Sequence, residues 1–199
     1  MPPDSLLPSD TDRRTLAFLR IWLTPGVGPR HAHRLLQAVG NPAIVASLSP
    51  KELISKGLEE NVARALLAPA AADRAREEWA RAASLGTRIL DICHPDYPSL
   101  LREIADPPLV LYVRGKRWDT ESPHIALVGT RKPSPYGVNC AERIGRDLAE
   151  RGAVVVSGLA RGIDTAAHRG ALGSGRTVAV LGTGVIGSTR PRTVRSRNS

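Results

Sequence analysis

Three short apolar runs constrain this chain most: Ile125-Ala126-Leu127-Val128, Ala153-Val154-Val155-Val156 and Thr177-Val178-Ala179-Val180-Leu181. Each has strand length and is rich in β-branched residues, and each except the last leads into a stretch of helical pattern, over 137–151 and then 163–172. Strands that stay apolar without alternating polar positions are buried on both faces. With helices between them, they form a parallel sheet of the α/β class.

The first 86 residues follow a different period. Residues 10–23 predict a helix with acidic residues in its first turn and Leu16, Leu19 and Leu23 along one face. Ala32, Leu35, Leu36 and Val39 predict a second, closed by Gly40-Asn41-Pro42. Ser49-Pro50-Lys51-Glu52 is a capping box with proline at the first helical position. Residues 59–85 are rich in Ala and Arg and helical, with a break near Pro69. Two strands, 88–92 and 109–113, then flank a proline-rich loop. The expected organisation is a helical domain over 1–86, an αβ domain over 87–187 and a basic, disordered tail over 188–199.

Between the first two helices lies Thr24-Pro25-Gly26-Val27-Gly28-Pro29-Arg30, the shape of a helix-hairpin-helix. Its glycines let successive amides face a phosphate, with Arg30 and Arg34 supplying charge, so Gly26, Gly28, Arg30 and Arg34 form a candidate secondary DNA contact. The same spacing also suits an ordinary helical hairpin whose glycines only make the turn.

Charge is distributed unevenly. Residues 1–122 hold 16 basic and 15 acidic side chains, whereas residues 123–199 hold 12 and 4 of the formal total of +9. A basic half beside a neutral half points to a polyanion, nucleic acid before membrane. Arginine accounts for 24 of the 28 basic residues, which reflects composition but does not explain the asymmetry. Other classes are excluded by simple absences. No apolar run nears the roughly 20 residues of a membrane span, and the start lacks a secretion signal's pattern. Cys93 and Cys140 stand alone, so neither a disulfide framework nor a metal site is expected, and a reducing cytoplasm is the expected compartment.

The candidate site lies at the carboxyl ends of the three strands. Gly129-Thr130-Arg131-Lys132 follows the first, Ser157-Gly158-Leu159-Ala160-Arg161-Gly162-Ile163-Asp164 the second, and Gly182-Thr183-Gly184 the third. In an open α/β sheet, ligands bind where such loops converge. Glycines for close approach, hydroxyls, arginines and helix starts at about 137 and 163 suit a phosphate. Arg176, just before the third strand, is a further candidate cation. Asp164 and His168 are four apart on one helix face and have the form of an acid–base pair. A carboxylate in a first helical turn with a neighbouring histidine is the plainer account, since no nucleophile accompanies them. Gly182-Thr183-Gly184-Val185-Ile186-Gly187 matches a dinucleotide fingerprint, but neither the required helix nor an acidic ribose ligand follows. No G-x-x-x-x-G-K-[ST] phosphate loop is present. Neither a cofactor nor a catalytic residue is expected.

The stretches Ala126–Gly137, Val156–Leu172 and Thr177–Gly184 together resemble the bacterial DprA/Smf family, the DNA-processing protein of natural transformation. Residues 95–101 and 106–115 are similar to the family's segment before its core, and Pro25-Gly26-Val27-Gly28 is similar to its helical N-terminal domain. The resemblance implies a helix-hairpin-helix/SAM-like domain followed by an incomplete extended Rossmann-like parallel sheet. It also implies binding of single-stranded DNA without enzymatic turnover, a homodimer, and loading of the RecA recombinase. Carried over by position, the pocket uses Gly129, Thr130, Arg131, Ser157, Gly158, Ala160, Arg161 and Arg176, and Lys132, Gly162 and Gly182 complete the candidate phosphate-binding set. The family continues well past the G-T-G, so the resemblance implies a C-terminally truncated member, with dimerisation and loading impaired and a bare sheet edge. Two alternatives remain: a Rossmann-like nucleoside-monophosphate hydrolase, whose P-G-G-x-G-T loop and downstream Glu are missing here, and a non-functional fragment.

Overall fold

The computed structural model describes residues 9–117 and 121–182. The expected tail and most of the dinucleotide-like run lie outside these residues. The chain divides into two compact units, Met1–Gly115 and Lys116–Ser199.

Unit 1 opens with helix α1 (Asp10–Trp22), fixed by a capping box in which Ser9 and Asp12 satisfy each other's backbone amides. Helix α2 (Pro29–Val39), a 3-10 turn (Pro42–Ser47), α3 (Pro50–Ser55) and α4 (Glu60–Leu67) follow. The expected break at Pro69 is real. Ala68 is extended (ψ 141°), as a residue before proline tends to be, and α5 (Pro69–Ser84) starts afresh with the proline at its first position. Strand β1 (Thr87–Asp91) pairs antiparallel with β2 (Val110–Arg114), the short α6 (Ser99–Arg102) lying between them.

This ribbon groups with the helices, so the division falls at 115 and not at 86, where the hydrophobic period changes. Ile89, Leu109 and Val110 join Phe18, Leu19, Ile21, Leu35, Leu53 and Leu66 in one aliphatic core. A buried polar joint reinforces the attachment. The fully buried Asp91 accepts from Arg14 Nε at 3.2 Å, from the Thr15 hydroxyl at 2.6 Å and from the Cys93 amide at 2.9 Å. A buried carboxylate is tolerated only with such partners, so β1 is tied to α1.

Unit 2 is a Rossmann-like fragment: β3 (His124–Ala126), α7 (Pro135–Glu150), β4 (Val154–Ser157), α8 (Ile163–Leu172) and β5 (Thr177–Ala179), with the parallel strand order β3-β4-β5. Helix α7 starts two residues ahead of the apolar pattern because Ser134 caps it and Pro135 occupies its first position. Val155 is completely buried against Ala149 of α7 and Ala167 and Ala171 of α8, so both helices cover the same face, and not one face each as the unbroken apolar runs predict. Residues of the opposite parity, Ala126, Val156 and Val178, are exposed or half-buried. The two helices meet through glycines. A Cβ on Gly145 would lie 2.5 Å from the Ala167 carbonyl oxygen, and one on Gly170 would overlap that of Glu142. No helix among the described residues is long and apolar enough to cross a membrane.

Candidate nucleic-acid interface

The parallel strands deliver two loops to one place. The loop after β3, Gly129–Lys132, is exposed throughout. The loop after β4 reaches it through Gly162, whose φ of +88° favours glycine and whose missing Cβ leaves room for the backbone of Thr130 and Arg131. A Cβ there would stand 2.9 Å from Arg131 Cα, and any side chain would push the loops apart. The Ile163 amide donates to the Thr130 carbonyl at 3.2 Å, while Gly129 packs so closely on Ile163 that a Cβ would meet its side chain at 2.8 Å. Arg131 and Arg161, 30 positions apart in sequence, therefore sit on touching segments. Both are exposed, as is Lys132, and none of the three forms an ion pair among the described residues. The loop after β5 adjoins through the Val180 amide, which donates to the Ser157 carbonyl at 2.9 Å, and it leads to the exposed Gly182.

Other candidates have structural duties. The buried Ser157 hydroxyl donates to the Leu127 carbonyl at 2.7 Å, tying β4 to the strand beside it. The amides of Gly158 and Ala160 point inward at Asp164 Oδ2, at 3.2 and 3.4 Å. A carboxylate of the chain itself thus occupies the anion position that these amides create, and it shapes the loop. Leu159, between them, takes a left-handed φ of +56° and turns its side chain outward, 53% exposed. Such strain in a non-glycine residue persists only when the surroundings enforce it, and the Asp164 bonds do so.

Arg176 is not brought to this cluster. It precedes β5 and donates to Ser122 Oγ at 3.1 Å and the Gly152 carbonyl at 3.3 Å, both ahead of their strands. In a parallel sheet that is the opposite end from the strand-end loops. His168 is also structural. The Thr177 hydroxyl donates to the Val155 carbonyl at 2.9 Å, so it accepts from His168 Nδ1 at 2.7 Å. That fixes the Nδ1–H tautomer and leaves the buried Nε2 without a hydrogen bond. Burial pushes the His168 pKa down, with Asp164 opposing. Asp164 and His168 are each engaged in holding the fold.

The structure adds one residue that the sequence pattern does not flag. Tyr136, in the first turn of α7 four residues past Lys132, is 78% exposed. A lone aromatic at the start of a helix has no periodicity to mark it. Its signal is its position four residues past a basic pair, in a chain where aromatics make up only 4%.

The helical hairpin belongs to unit 1. Gly26 turns the chain with φ +85° and packs so closely on Val62 that a Cβ would meet it at 2.8 Å, while Gly28 precedes α2 with no side chain capping the helix. Arg30 pairs with Asp106 at 3.5 Å, which offsets its charge, and Arg34 is exposed.

A parallel sheet of order β3-β4-β5, with α7 and α8 as its crossovers and glycine-rich loops at its strand ends, is of Rossmann-like type. The DNA recombination-mediator protein A family matches residues 88–197, more than half of the sequence, and the chain belongs to that family. It is 48% identical over 96 residues to the protein Smf of a Synechocystis strain, and 46% identical over 98 residues to the DNA processing protein DprA of Streptococcus pneumoniae. Those alignments take in 46% and 49% of this chain, but only 24% and 33% of the relatives. The crystal structure of S. pneumoniae DprA superimposes with a TM-score of 0.72 at 27% identity, covering 89% of this chain and 60% of that one.

Proposed function

We propose that the chain binds single-stranded DNA at the strand ends of unit 2 and acts by holding the strand, without turnover. The observation that carries this reading is the meeting at Gly162 of the exposed loops that bear Arg131, Lys132 and Arg161, with the exposed Tyr136 four residues past Lys132 in the chain. Three cations with no acidic partner among the described residues attract a polyphosphate, and an exposed aromatic ring at the start of the helix that follows offers a surface on which an unpaired base stacks. A duplex keeps its bases inside the stack and gains nothing from that ring. The open amide of Gly129, the hydroxyl of Thr130 and the approach to Gly182 complete the phosphate path. Membership of a DNA recombination-mediator family agrees with this ligand. On the same reading the bound strand is passed to the RecA recombinase, and a dimer is the form that does so.

Fluorescence anisotropy of labelled oligo-dT tests the binding. Affinity falls steeply as salt rises, and a duplex of equal length competes poorly. Salt-independent binding, or a folded sample that binds no oligo-dT, defeats the reading. Base release from an added nucleotide would defeat the absence of turnover.

A further inference from the structure

Beyond Tyr136, the outer side of α7 has no part in the site described so far. Its buried residues, Ala141, Gly145 and Ala149, recur every four positions on the side covered by α8. At about 100° per residue, the opposite side carries Tyr136, Asn139 and Arg143 and, in the last turn, Asp147 and Glu150, with Arg146 towards its edge. Tyr136, Asn139, Arg143 and Arg146 are all exposed. This side starts at the strand-end loops, since Tyr136 lies just beyond Arg131 and Lys132. From Tyr136 to Arg146 it runs for roughly 15 Å at 1.5 Å per residue.

Charge pairing separates this face from an ordinary solvated one. In unit 1, Arg13, Arg64 and Arg76 each meet an acidic residue three or four positions away in their own helix. In unit 2, Arg169 of α8 takes Glu142, the only acidic residue in the first twelve of α7, at 2.9 Å. Arg143 and Arg146 form no ion pair among the described residues, although Asp147 and Glu150 lie four positions further on. With arginine on the N-terminal side, that spacing has the weaker orientation for a helical pair.

We propose that the DNA strand continues along this face, with Arg143 and Arg146 as outlying phosphate contacts that carry it away from the strand-end loops. The proposal rests on those loops being the single-stranded DNA site. It implies a footprint longer than the loops alone provide, ended by Asp147 and Glu150.

The test measures affinity of the full chain for oligo-dT of about 5 and about 20 nucleotides, within and beyond the span of one small binding fold. Wild type is compared with the Arg143→Ala/Arg146→Ala variant. Alanine at exposed helical positions preserves the helix, and far-UV circular dichroism checks that it does. The variant binds the short oligonucleotide as wild type does but binds the long one about tenfold more weakly. Its salt slope there falls by about 1.4, at about 0.7 for each phosphate of a single strand that is no longer neutralised. Unchanged affinity and slope on the long oligonucleotide overturn the proposal, as does an equal loss on both lengths. Wild type that binds neither length overturns the strand-end reading itself, a distinguishable failure.

Discussion

In unit 1, Phe18, Leu19, Ile21, Leu35, Leu53, Leu66 and Leu109 interlock in one core, and a buried carboxylate joins the first helix to the first strand. In unit 2 the corresponding cluster is Val155 with three alanines, and the helices touch through glycine. Large side chains fill space and give stability through the apolar area they bury. Small ones let backbones approach, which brings loops 30 residues apart into contact but buries little. Surface chemistry differs in the same sense. Unit 1 pairs several of its helical arginines, whereas in unit 2 Arg131, Lys132, Arg143, Arg146 and Arg161 form no ion pair among the described residues and Tyr136, Leu159, Val128 and Val180 are more than half exposed. The comparison teaches a division of labour: one unit is packed for stability, and the other is arranged around a surface.

The sharpest way to break that comparison is to attack unit 2 at its glycine contact. Gly170→Val drives a branched side chain into the Glu142 carbonyl and is expected to abolish the unit 2 transition in a calorimetric melt, leaving unit 1 to unfold as before. A single transition lost as a whole would show that the units are not separately stable. Next in size is Asp91→Ala, which strands the Arg14 guanidinium and removes the acceptor for Thr15 and Cys93. It lowers the stability of unit 1 by about 3 kcal/mol or more, read from denaturant unfolding, with oligo-dT binding by unit 2 retained.

A smaller effect comes from pH. The pKa of His168 is held below its ordinary value in the fold and returns to about 6.5 on unfolding, so the unfolded chain binds more protons between the two values. The stability of unit 2 is therefore full above about pH 6.5 and falls as the solution is acidified below it. His168→Gln removes that dependence. A pH profile unchanged by the substitution would show that another group is responsible.

Much of the fold was legible because periodicity and caps are local. The capping box at Ser49, the break at Pro69 and the three parallel strands each follow from a few adjacent residues. What was not legible depends on three-dimensional partners. The change of period at residue 86 marks a change of element, but Ile89 and Val110 pack with the preceding helices. Arg176 adjoins β5 in sequence, and only strand direction shows that it enters at the far end. The amides of Gly158 and Ala160 have the spacing of an anion cradle, and the structure gives that cradle to Asp164. Arg131 and Arg161 were identifiable as cations on Gly-rich loops, whereas the approach of those loops through Gly162 is a property of the sheet.

The central claim is that the two loops meeting at Gly162 form a phosphate site. The most direct test is the dependence of oligo-dT affinity on salt for wild type and for Arg131→Ala/Arg161→Ala. Both substitutions lie at exposed positions that make no ion pair among the described residues. The account predicts weaker binding and a slope of log affinity against log salt that is shallower by about 1.4, two phosphates at about 0.7 each. A folded double variant with wild-type affinity and slope would contradict it.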